Sequence, residues 1–512
     1  MPDDNIKELN LGQDKNQAYM EFFKKKLDYT KLSKTIVQDL INNRKESVLF
    51  KRYSKEEVIK FLSDPQRYEK QIRDMSNFLY ANSSHYKRLC NYFSKLCTLN
   101  YLLIPYNLNP NRYNKSSFLT NYRKVATQLK KFNLQYHLYR IMNVCMYQDA
   151  FYGLWYETDN SFDIIQINAD FCKISYKIDG CFTYSLNFDF FKTREYLLDT
   201  YGEEIKQMYL NYVGYTIENK DGKKKKVKGD SKLQWQVPPN QICLKANEDQ
   251  LLYSLPPFAG IFPEILNLED YKLLKKTGEI LNHYKILAMN IPLNEDGGFK
   301  LDGKIAEEFY NQASNNIDDS IGLILTPMQV EKFDFSNSKV TDSDAVNEAE
   351  GELWASSGSN GALFGFGDKL SSSSLNISIK NDESIAFALV KQAENWINKY
   401  IKGLGLPYEF RVSFLNQSIY SEDEVCDRMQ RAASYGVAGA KSLYVASIGL
   451  SPSDVIGLTE LENSLDFTNS WIPLKSSNTQ SNKIDGEVGR PQQSKVQDSG
   501  EATRENDGNK NR

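Results

Sequence analysis

The hydrophobic pattern of this chain changes at Ala150, and that change constrains the fold more than any other feature of the sequence. Before Ala150, apolar residues recur at helical spacing; from Ala150 to Phe191, short alternating stretches rich in aromatic and β-branched residues indicate strands. Helices and strands kept in separate regions are typical of an α+β fold. The helices predicted before the change are 31–48, 54–63, 65–81, 84–100 and 117–149.

Two of these helices have recognisable start signals. Ser54 can accept a hydrogen bond from an unpaired amide of the first turn, and Pro65 has no amide hydrogen to leave unpaired. We therefore expect helices to begin at both positions.

The strand region predicts one small antiparallel sheet, because Asp159-Asn160 and Asp179-Gly180 supply turns between its segments. Its predicted strands are 151–156, 163–167, 173–178 and 182–186. A second hairpin is predicted over 212–227, with its turn at Asp221-Gly222. The basic run Lys223 to Lys226 on this hairpin is interpreted as a strand edge guarded by charge, and DNA contact is the alternative.

The second half of the chain returns to helical patterns. After Pro263, a helix over 264–287 has 24 residues and a length of about 36 Å. A short helix at 304–313 and a strand at 322–325 follow, and then helices at 342–356, 382–402, 421–435, 438–448 and 451–463. The fold is therefore predicted to be α+β and mainly helical. No aromatic residue follows Trp471, so residues from about 475 onward are expected to be disordered.

Composition excludes several classes of function. The chain has 512 residues and a formal charge of −3, which argues against a protein that wraps nucleic acid tightly through its phosphates. No apolar run approaches the length of a transmembrane helix, and the acidic N-terminus does not resemble a secretory signal. The seven cysteines are odd in number and widely spaced, which favours buried free thiols.

The sequence carries no arrangement typical of catalysis. Its three histidines, His85, His137 and His283, each stand alone in their segments, without the spacing of metal ligands. A glycine-rich stretch suggests a phosphate loop, but Asp368 separates Gly367 from Lys369. We therefore expect a protein that is not an enzyme and that needs no cofactor or metal.

An acidic helix is the first of two features that point to function. Five carboxylates lie between 342 and 352, in the order Asp342, Asp344, Glu348, Glu350 and Glu352. Asp344, Glu348 and Glu352 share one face of the predicted helix. The opposite face carries an apolar stripe of Val346, Ala349 and Leu353. From 340 to 368 there is no lysine or arginine. The face is either simply solvated or arranged to repel DNA phosphates, so that a duplex slides past it.

The second feature is the loop that follows. It is rich in glycine and serine, with a small apolar and basic centre consisting of Leu363, Phe364, Phe366 and Lys369. A flexible linker is one interpretation. A mobile loop that projects into a lumen is the other, because a linker has no need of two phenylalanines.

The order of these parts resembles the portal, or head-to-tail connector, family of tailed bacteriophages. An aromatic segment, Met146 to Tyr156, turns from helix to strand at Gly153 and precedes the small sheet. A long helix introduced by proline, an insertion, the acidic helix, the loop, a second long helix and a helical C-terminal region follow. The resemblance covers roughly residues 30–475, and Gly489-Arg490-Pro491 in the polar tail is similar to portal tails from phages of Gram-positive hosts.

The resemblance implies a portal fold with wing, stem, clip and crown regions. These would be an N-terminal wing region at 1–262, stem helices at 263–287 and 341–356, a clip at 288–340, a tunnel loop at 357–377, a long wing helix at 378–404, a crown at 405–474 and a disordered tail at 475–512. The residues implied to line the channel are Asp344, Glu348 and Glu352, and those implied to touch DNA are Lys272, Lys275, Lys276 and Lys369.

The function implied is a ring of twelve subunits at one capsid vertex of the virion, through which DNA is packaged and ejected. Its partners would be further copies of itself, the terminase large subunit, a head-completion or tail adaptor protein, the major capsid protein, a scaffolding protein and double-stranded DNA, with no membrane. Assembly would take place in the host bacterial cytoplasm. The alternatives are a metal-dependent nucleic-acid-processing enzyme, in which Glu348 and Glu352 bind two metal ions, and another virion protein such as a capsid or tail adaptor.

Overall fold

The described chain is mainly helical, and short strands join segments that are far apart in sequence. The computed structural model describes residues 52–109, 111, 113–218, 224–283, 285–290, 292, 300–316, 321–326, 333–334, 343–367 and 372–466. The predicted helix at 31–48 and the predicted disordered tail lie outside these residues. The chain divides into two compact units, Met1–Val455 and Ile456–Arg512.

The first described helices confirm one predicted start and correct the other. They are α1 (Lys55–Ser63), α2 (Glu69–Asn82) and α3 (Ser84–Lys95). Ser54 caps α1, since its Oγ accepts from the Glu57 amide at 3.2 Å while the Glu57 carboxylate accepts from the Ser54 amide at 3.0 Å. The predicted start at Pro65 is wrong, because Pro65 lies in a turn closed by the Tyr68 amide donating to the Asp64 carbonyl at 3.1 Å.

The predicted helix 117–149 consists of two helices, α4 (Lys115–Phe132) and α5 (Leu134–Gln148). Asn133 separates them with φ of 46°, a left-handed conformation that asparagine tolerates better than most residues. The break was missed because a single asparagine between two periodic segments is a weak stop signal.

All four predicted strands are present, but the prediction of one sheet is wrong. The strands of this region are β2 (Ala150–Glu157), β3 (Phe162–Gln166), β4 (Cys172–Ile178), β5 (Cys181–Asn187), β8 (Trp235–Gln236) and β9 (Gln241–Lys245). They form two antiparallel three-stranded sheets, ordered β3–β2–β9 and β4–β5–β8. Because β9 occupies the second edge of β2, β4 and β5 form a separate sheet.

The predicted hairpin at 212–227 is confirmed by strands β6 (Gly214–Glu218) and β7 (Lys224–Lys228), which pair antiparallel. Its turn at Asp221-Gly222 lies outside the described residues. Two helices that were not predicted precede it, α6 (Leu198–Tyr201) and α7 (Glu203–Val213).

A long-range strand pair was also missed. Strand β1 (Tyr101–Tyr106) pairs antiparallel with β13 (Glu409–Phe414), and Tyr101 lies opposite Phe414. The helix predicted over 84–100 therefore ends at Lys95, where the chain leads into β1. No local pattern marks a partner about 300 residues away, so only the tertiary structure shows this pair.

The helix predicted over 264–287 is α8 (Phe262–His283), which ends four residues early. The chain then enters β10 (Lys285–Asn290), which pairs parallel with β11 (Ile321–Thr326) and antiparallel with β12 (Phe333–Asp334). The predicted short helix and the predicted strand in this region are confirmed by α9 (Gly303–Asn316) and by β11.

The remaining helices are α10 (Ser343–Ser357), α11 (Ser372–Gly403), α12 (Glu422–Ser434), α13 (Ala440–Ser447) and α14 (Pro452–Ser464). All five were predicted, but α11 begins ten residues before the predicted position 382. Its 32 residues extend about 48 Å. The last residues of the predicted tunnel loop, 372–377, are therefore helical.

Two clusters of buried side chains form the interior. The larger lies between α2, α3, α4 and α5 and extends to the start of α8, to α10 and to α11. In it, the ring of Phe132 packs against Phe162 with centroids 4.2 Å apart, and Tyr86 meets Phe262 edge-on at 5.5 Å. The smaller cluster lies between β2, β5 and α7 and contains Phe188, Phe191 and Tyr209.

No described helix is long and apolar enough to cross a membrane. The seven cysteines are free thiols, and six of them are buried. Burial raises the pKa of Cys97 to about 12, so its thiol stays protonated at neutral pH.

A fully buried ion pair joins α5 to β9. Asp149, directly after α5, and Lys245, the last residue of β9, are hydrogen-bonded through their side chains, and neither side chain is exposed to solvent. The Asp149 carboxylate also accepts from the amides of Asn247 at 2.8 Å and Leu255 at 3.0 Å. Burial raises the pKa of Asp149, and Lys245 and these amides oppose that shift.

Helix α11 is joined to the same pair through Gln392. The Gln392 carbonyl oxygen accepts from the Lys245 amide at 3.0 Å, and its amide nitrogen donates to the Lys245 carbonyl at 2.8 Å. The side chain thus pairs with β9 as a neighbouring strand would. We call Asp149, Lys245 and Gln392 the central network.

Replacing Asp149 with alanine should lower the free energy of unfolding by about 3–5 kcal/mol, because it leaves the buried Lys245 ammonium without its counter-charge. Urea denaturation followed by circular dichroism measures the loss. The matched control is Asp199→Ala, which removes a carboxylate that pairs with Lys206 on the surface, and it should leave the midpoint unchanged. Equal midpoints for the two variants would show that the buried pair contributes little.

Candidate functional site

The two helices predicted to form the stem, α8 and α10, pack against each other. Helix α10 buries Ala349, Leu353 and Trp354, and Val346 is half-buried, so the predicted apolar stripe is confirmed. Near its start, α8 buries Ile265 and other apolar side chains. The helix pair therefore has one side held in the larger core.

The opposite side of α10 presents carboxylates. Glu348 and Glu352 are exposed and lie one helical turn apart. The side chain of Asp344 is not among those that the structure describes. Glu350 does not share this face, because its Oε1 lies 3.2 Å from His85 Nε2 on α3.

Three of the four lysines predicted to touch DNA, Lys272, Lys275 and Lys276, lie on α8. Lys272 Nζ donates to Glu269 Oε1 at 2.9 Å, so a carboxylate one turn away partly offsets its charge. Lys275 is half-buried and Lys276 is exposed. Because Lys272 and Lys276 are four residues apart, they lie on the same face of the helix.

The loop after α10 folds back onto the body of the protein. Gly361–Phe364 form one turn of 3-10 helix, and Phe364 is only 7% exposed. Its ring stacks on Trp354, with centroids 4.2 Å apart and planes 5° from parallel. Arg88 Nη1 donates to the Phe364 carbonyl at 2.8 Å. Phe364 therefore does not project into open space.

Of the other predicted loop residues, the structure describes Leu363 and Phe366 but not Lys369. Leu363 and Phe366 are half-buried and pack against the larger core. The Phe366 amide donates to the Gly361 carbonyl at 3.0 Å, and its ring covers Gly361 so closely that a Cβ there would lie 3.2 Å from Phe366 Cδ1. Lys369 lies outside the described residues, and its contact with DNA stays a prediction.

A buried carboxylate on α11 holds the start of the loop. Asp382 is 2% exposed, and its Oδ2 accepts from the Tyr92 hydroxyl at 3.1 Å, while Ser359 Oγ lies 3.5 Å from Oδ1. Burial raises the pKa of Asp382. Burial also raises the pKa of Tyr92, and the neighbouring carboxylate raises it further.

These contacts connect three helices, α3, α10 and α11, through the first half of the loop. We call the residues that make them the loop clasp: Arg88, Tyr92, Trp354, Phe364 and Asp382. Sequence reasoning identified Phe364 but not its partners. The available signal was Trp354, a large aromatic residue among small and acidic ones, whereas Arg88 and Tyr92 lie more than 250 residues away.

The described residues include no group of three or more histidine, cysteine, aspartate or glutamate side chains that could hold a metal ion. His85 contacts Glu350, and His137 is buried beside Asp163 with its Nδ1 3.8 Å from that carboxylate. Burial lowers the pKa of His137, which keeps its ring neutral at pH 7. In the described part of the chain, the geometry assembles packing contacts and an acidic surface.

Comparisons with known proteins give structural likenesses only. No protein-family model matches the sequence, and no curated protein matches it. A chain in the neck of an empty gene transfer agent particle, computed with C6 symmetry, is similar at 13% identity and a TM-score of 0.37, over 75% of this chain and 93% of that one. A chain in the virion of a native gene transfer agent particle is similar at 15% identity and a TM-score of 0.36, over 73% and 88%. TM-scores this low do not establish a shared fold.

Replacing Phe364 with alanine should release the first half of the loop, because the variant loses both the buried ring area and the stack on Trp354. Amide hydrogen exchange in the segment 358–367 should become at least about tenfold faster. Ile377→Ala is the control, since it removes an apolar side chain that is 71% exposed on α11. Unchanged exchange in Phe364→Ala would mean that the stack does not hold the loop.

Proposed function

We propose that this protein is a portal protein: a subunit of a homo-oligomeric ring at one vertex of a phage capsid, through which double-stranded DNA enters and leaves. The observation that carries the proposal is the exposed face of Glu348 and Glu352 on a helix whose other side is buried. That helix leads directly into a loop that the loop clasp anchors at its base. This arrangement suits a channel wall with a loop at its end.

The acidic face would let DNA slide. A duplex carries one negative charge per about 1.7 Å of axis, so carboxylates facing it repel its phosphates and prevent tight binding. In a ring of twelve subunits, Glu348 and Glu352 would form a belt of like charge around the channel. Asp344 would extend the belt by one helical turn. Lys272, Lys275, Lys276 and Lys369 would supply brief contacts with phosphates.

Exposed apolar residues on the first stem helix support a ring. Tyr271 is 42% exposed and Leu274 is 49% exposed, one turn apart on α8. Apolar side chains so placed gain free energy when a neighbouring surface covers them. We propose that the next subunit does so, and that α8 and α10 together form the wall of the channel.

The proposed regions follow the order of elements, with the observed bounds replacing the predicted ones. The wing would include the two three-stranded sheets and α11, and the stem would consist of α8 and α10. Strands β10 to β12 and helix α9 would form the clip, and helices α12 to α14 would form the crown. The clip would bind the terminase large subunit and a tail adaptor. The wing would contact the major capsid protein and a scaffolding protein. We propose that terminase supplies the energy for DNA movement and that this chain has no catalytic role.

Negative-stain electron microscopy of the purified chain tests the ring. Class averages viewed down the particle axis should show a closed ring with a central hole near the width of a DNA duplex. A monodisperse monomer at high protein concentration contradicts the proposal. A magnesium-dependent nuclease assay on the same sample then tests the enzyme alternative, and a closed shell would instead favour a capsid protein.

A charge-reversal pair tests the acidic face. Glu348→Lys with Glu352→Lys should leave rings intact but reduce the DNA packaged per capsid, because lysines in the channel would bind phosphates and slow the duplex. The matched control is Glu422→Lys with Glu424→Lys, which reverses two exposed carboxylates on α12 and changes the net charge equally. DNA content is measured by buoyant density of the particles. Equal packaging by both variants would exclude these carboxylates from the channel.

A further inference from the structure

The hairpin of β6 and β7 has a charge that neither the proposed channel nor the strand pairing explains. Its ten described residues include Lys224, Lys225, Lys226 and Lys228 and one carboxylate, Glu218, which gives a net charge of 4 − 1 = +3. The whole chain has a net charge of −3. We call this pair of strands, Gly214–Glu218 and Lys224–Lys228, the lysine hairpin.

The strand register places little negative charge beside these lysines. Lys224 lies opposite Glu218, but Lys226 lies opposite Thr216 and Lys228 opposite Gly214. Lys226 and Lys228 are exposed, and neither forms an ion pair with a residue that the structure describes. They lie two residues apart, about 6.8 Å along one face of the strand.

Protection of a strand edge does not account for this pattern. Among the described strands, β6 and β7 pair only with each other, so the hairpin has two open edges. All four lysines are on β7, whereas β6 carries a single charged residue, Glu218, at its end. Lys226 and Lys228 repel each other along one face of β7, and a two-stranded sheet is only marginally stable by itself. Edge protection alone therefore does not explain four lysines on one strand.

The base of the hairpin is held firmly. Gly214 connects α7 to β6 with φ of 88°, and a Cβ there would lie 2.6 Å from the Gly229 amide nitrogen. The Asp230 amide donates to the Asn211 carbonyl at 3.1 Å, and α7 is anchored by Ile205 and Tyr209 in the smaller core. The lysines are thus presented on a ribbon whose position is fixed at one end.

We infer that the lysine hairpin binds the phosphate backbone of double-stranded DNA, outside the acidic channel proposed above. The exposed Lys226 and Lys228, on a strand with two further lysines, attract a polyanion, and the counterions released from DNA drive its binding. A two-stranded ribbon also fits the major groove, which is about 12 Å wide, and so brings β7 close to phosphates. The choice of DNA over an acidic protein rests on the proposed function, because a portal works beside a packaged genome.

The test compares two variants of the full chain for binding a fluorescein-labelled DNA duplex, measured by fluorescence anisotropy across a series of salt concentrations. The first replaces Lys224, Lys225, Lys226 and Lys228 with glutamine. The control replaces four exposed lysines outside the hairpin with glutamine, and so changes the net charge by the same amount. These are Lys115, Lys124, Lys402 and Lys441. Circular dichroism and electron microscopy on the same samples show whether each variant folds and assembles as the unsubstituted chain does.

Loss of the hairpin lysines should weaken DNA binding at least about tenfold. The logarithm of the binding constant should also fall less steeply with the logarithm of the salt concentration. The slope should decrease in magnitude by at least about 1.8, which is 0.9 for each of two lost phosphate contacts. The control should retain the affinity and slope of the unsubstituted chain. Equal losses in both variants, or no DNA binding by the unsubstituted chain, overturn the inference.

Competition with polyglutamate distinguishes binding of DNA from binding of an acidic protein segment. If polyglutamate binds the hairpin and DNA does not, the partner is an acidic protein segment and the inference is wrong. The outcome for the proposed function is independent, because it depends on whether the same sample forms rings. A hairpin-dependent salt slope in a sample without rings would support the inference and contradict the portal proposal.

Discussion

The central network is the interaction on which the rest of the structure depends. Asp149 directly follows α5, Lys245 ends β9 and Gln392 lies on α11, so three segments that are distant in sequence meet at one buried point. Burying two charges carries a desolvation penalty of several kcal/mol for each ion, which is recovered only with close geometry and additional hydrogen bonds. The amides of Asn247 and Leu255 supply those bonds. The pair can form only when the segments meet in this arrangement, and it thereby favours this arrangement over others.

The position of α11 then determines the loop after α10. Ten residues after its start, α11 presents Asp382 to Tyr92 and Ser359, and ten residues further on it presents Gln392 to β9. One helix thus connects the central network with the loop clasp. If α10 forms the channel wall as proposed, this helix would hold the base of the loop at a fixed distance from the wing sheets. The exposed carboxylates of α10 would then face the channel without help from the loop.

Much of the local structure could be predicted from the sequence, because it depends on neighbouring residues. The capping box at Ser54, the four strands between 150 and 187 and the apolar stripe of α10 all follow from spacing and residue type. Errors arose where a distant partner decides the outcome. The β1–β13 pair and the separation into two sheets both depend on contacts with segments far along the chain. The acidic face was also predictable, whereas the direction of Glu350 depends on His85.

By itself, the sequence determined that this chain folds as a mainly helical α+β protein with an acidic amphipathic helix before a glycine-rich loop, because hydrophobic period and charge spacing are local properties. Only the tertiary structure decided that Phe364 is buried against Trp354 and that the loop is anchored at its base. The same glycines and serines would suit a freely moving linker. Whether an aromatic side chain in such a loop is exposed depends on the surface that the rest of the fold provides, and here α3 and α10 provide it.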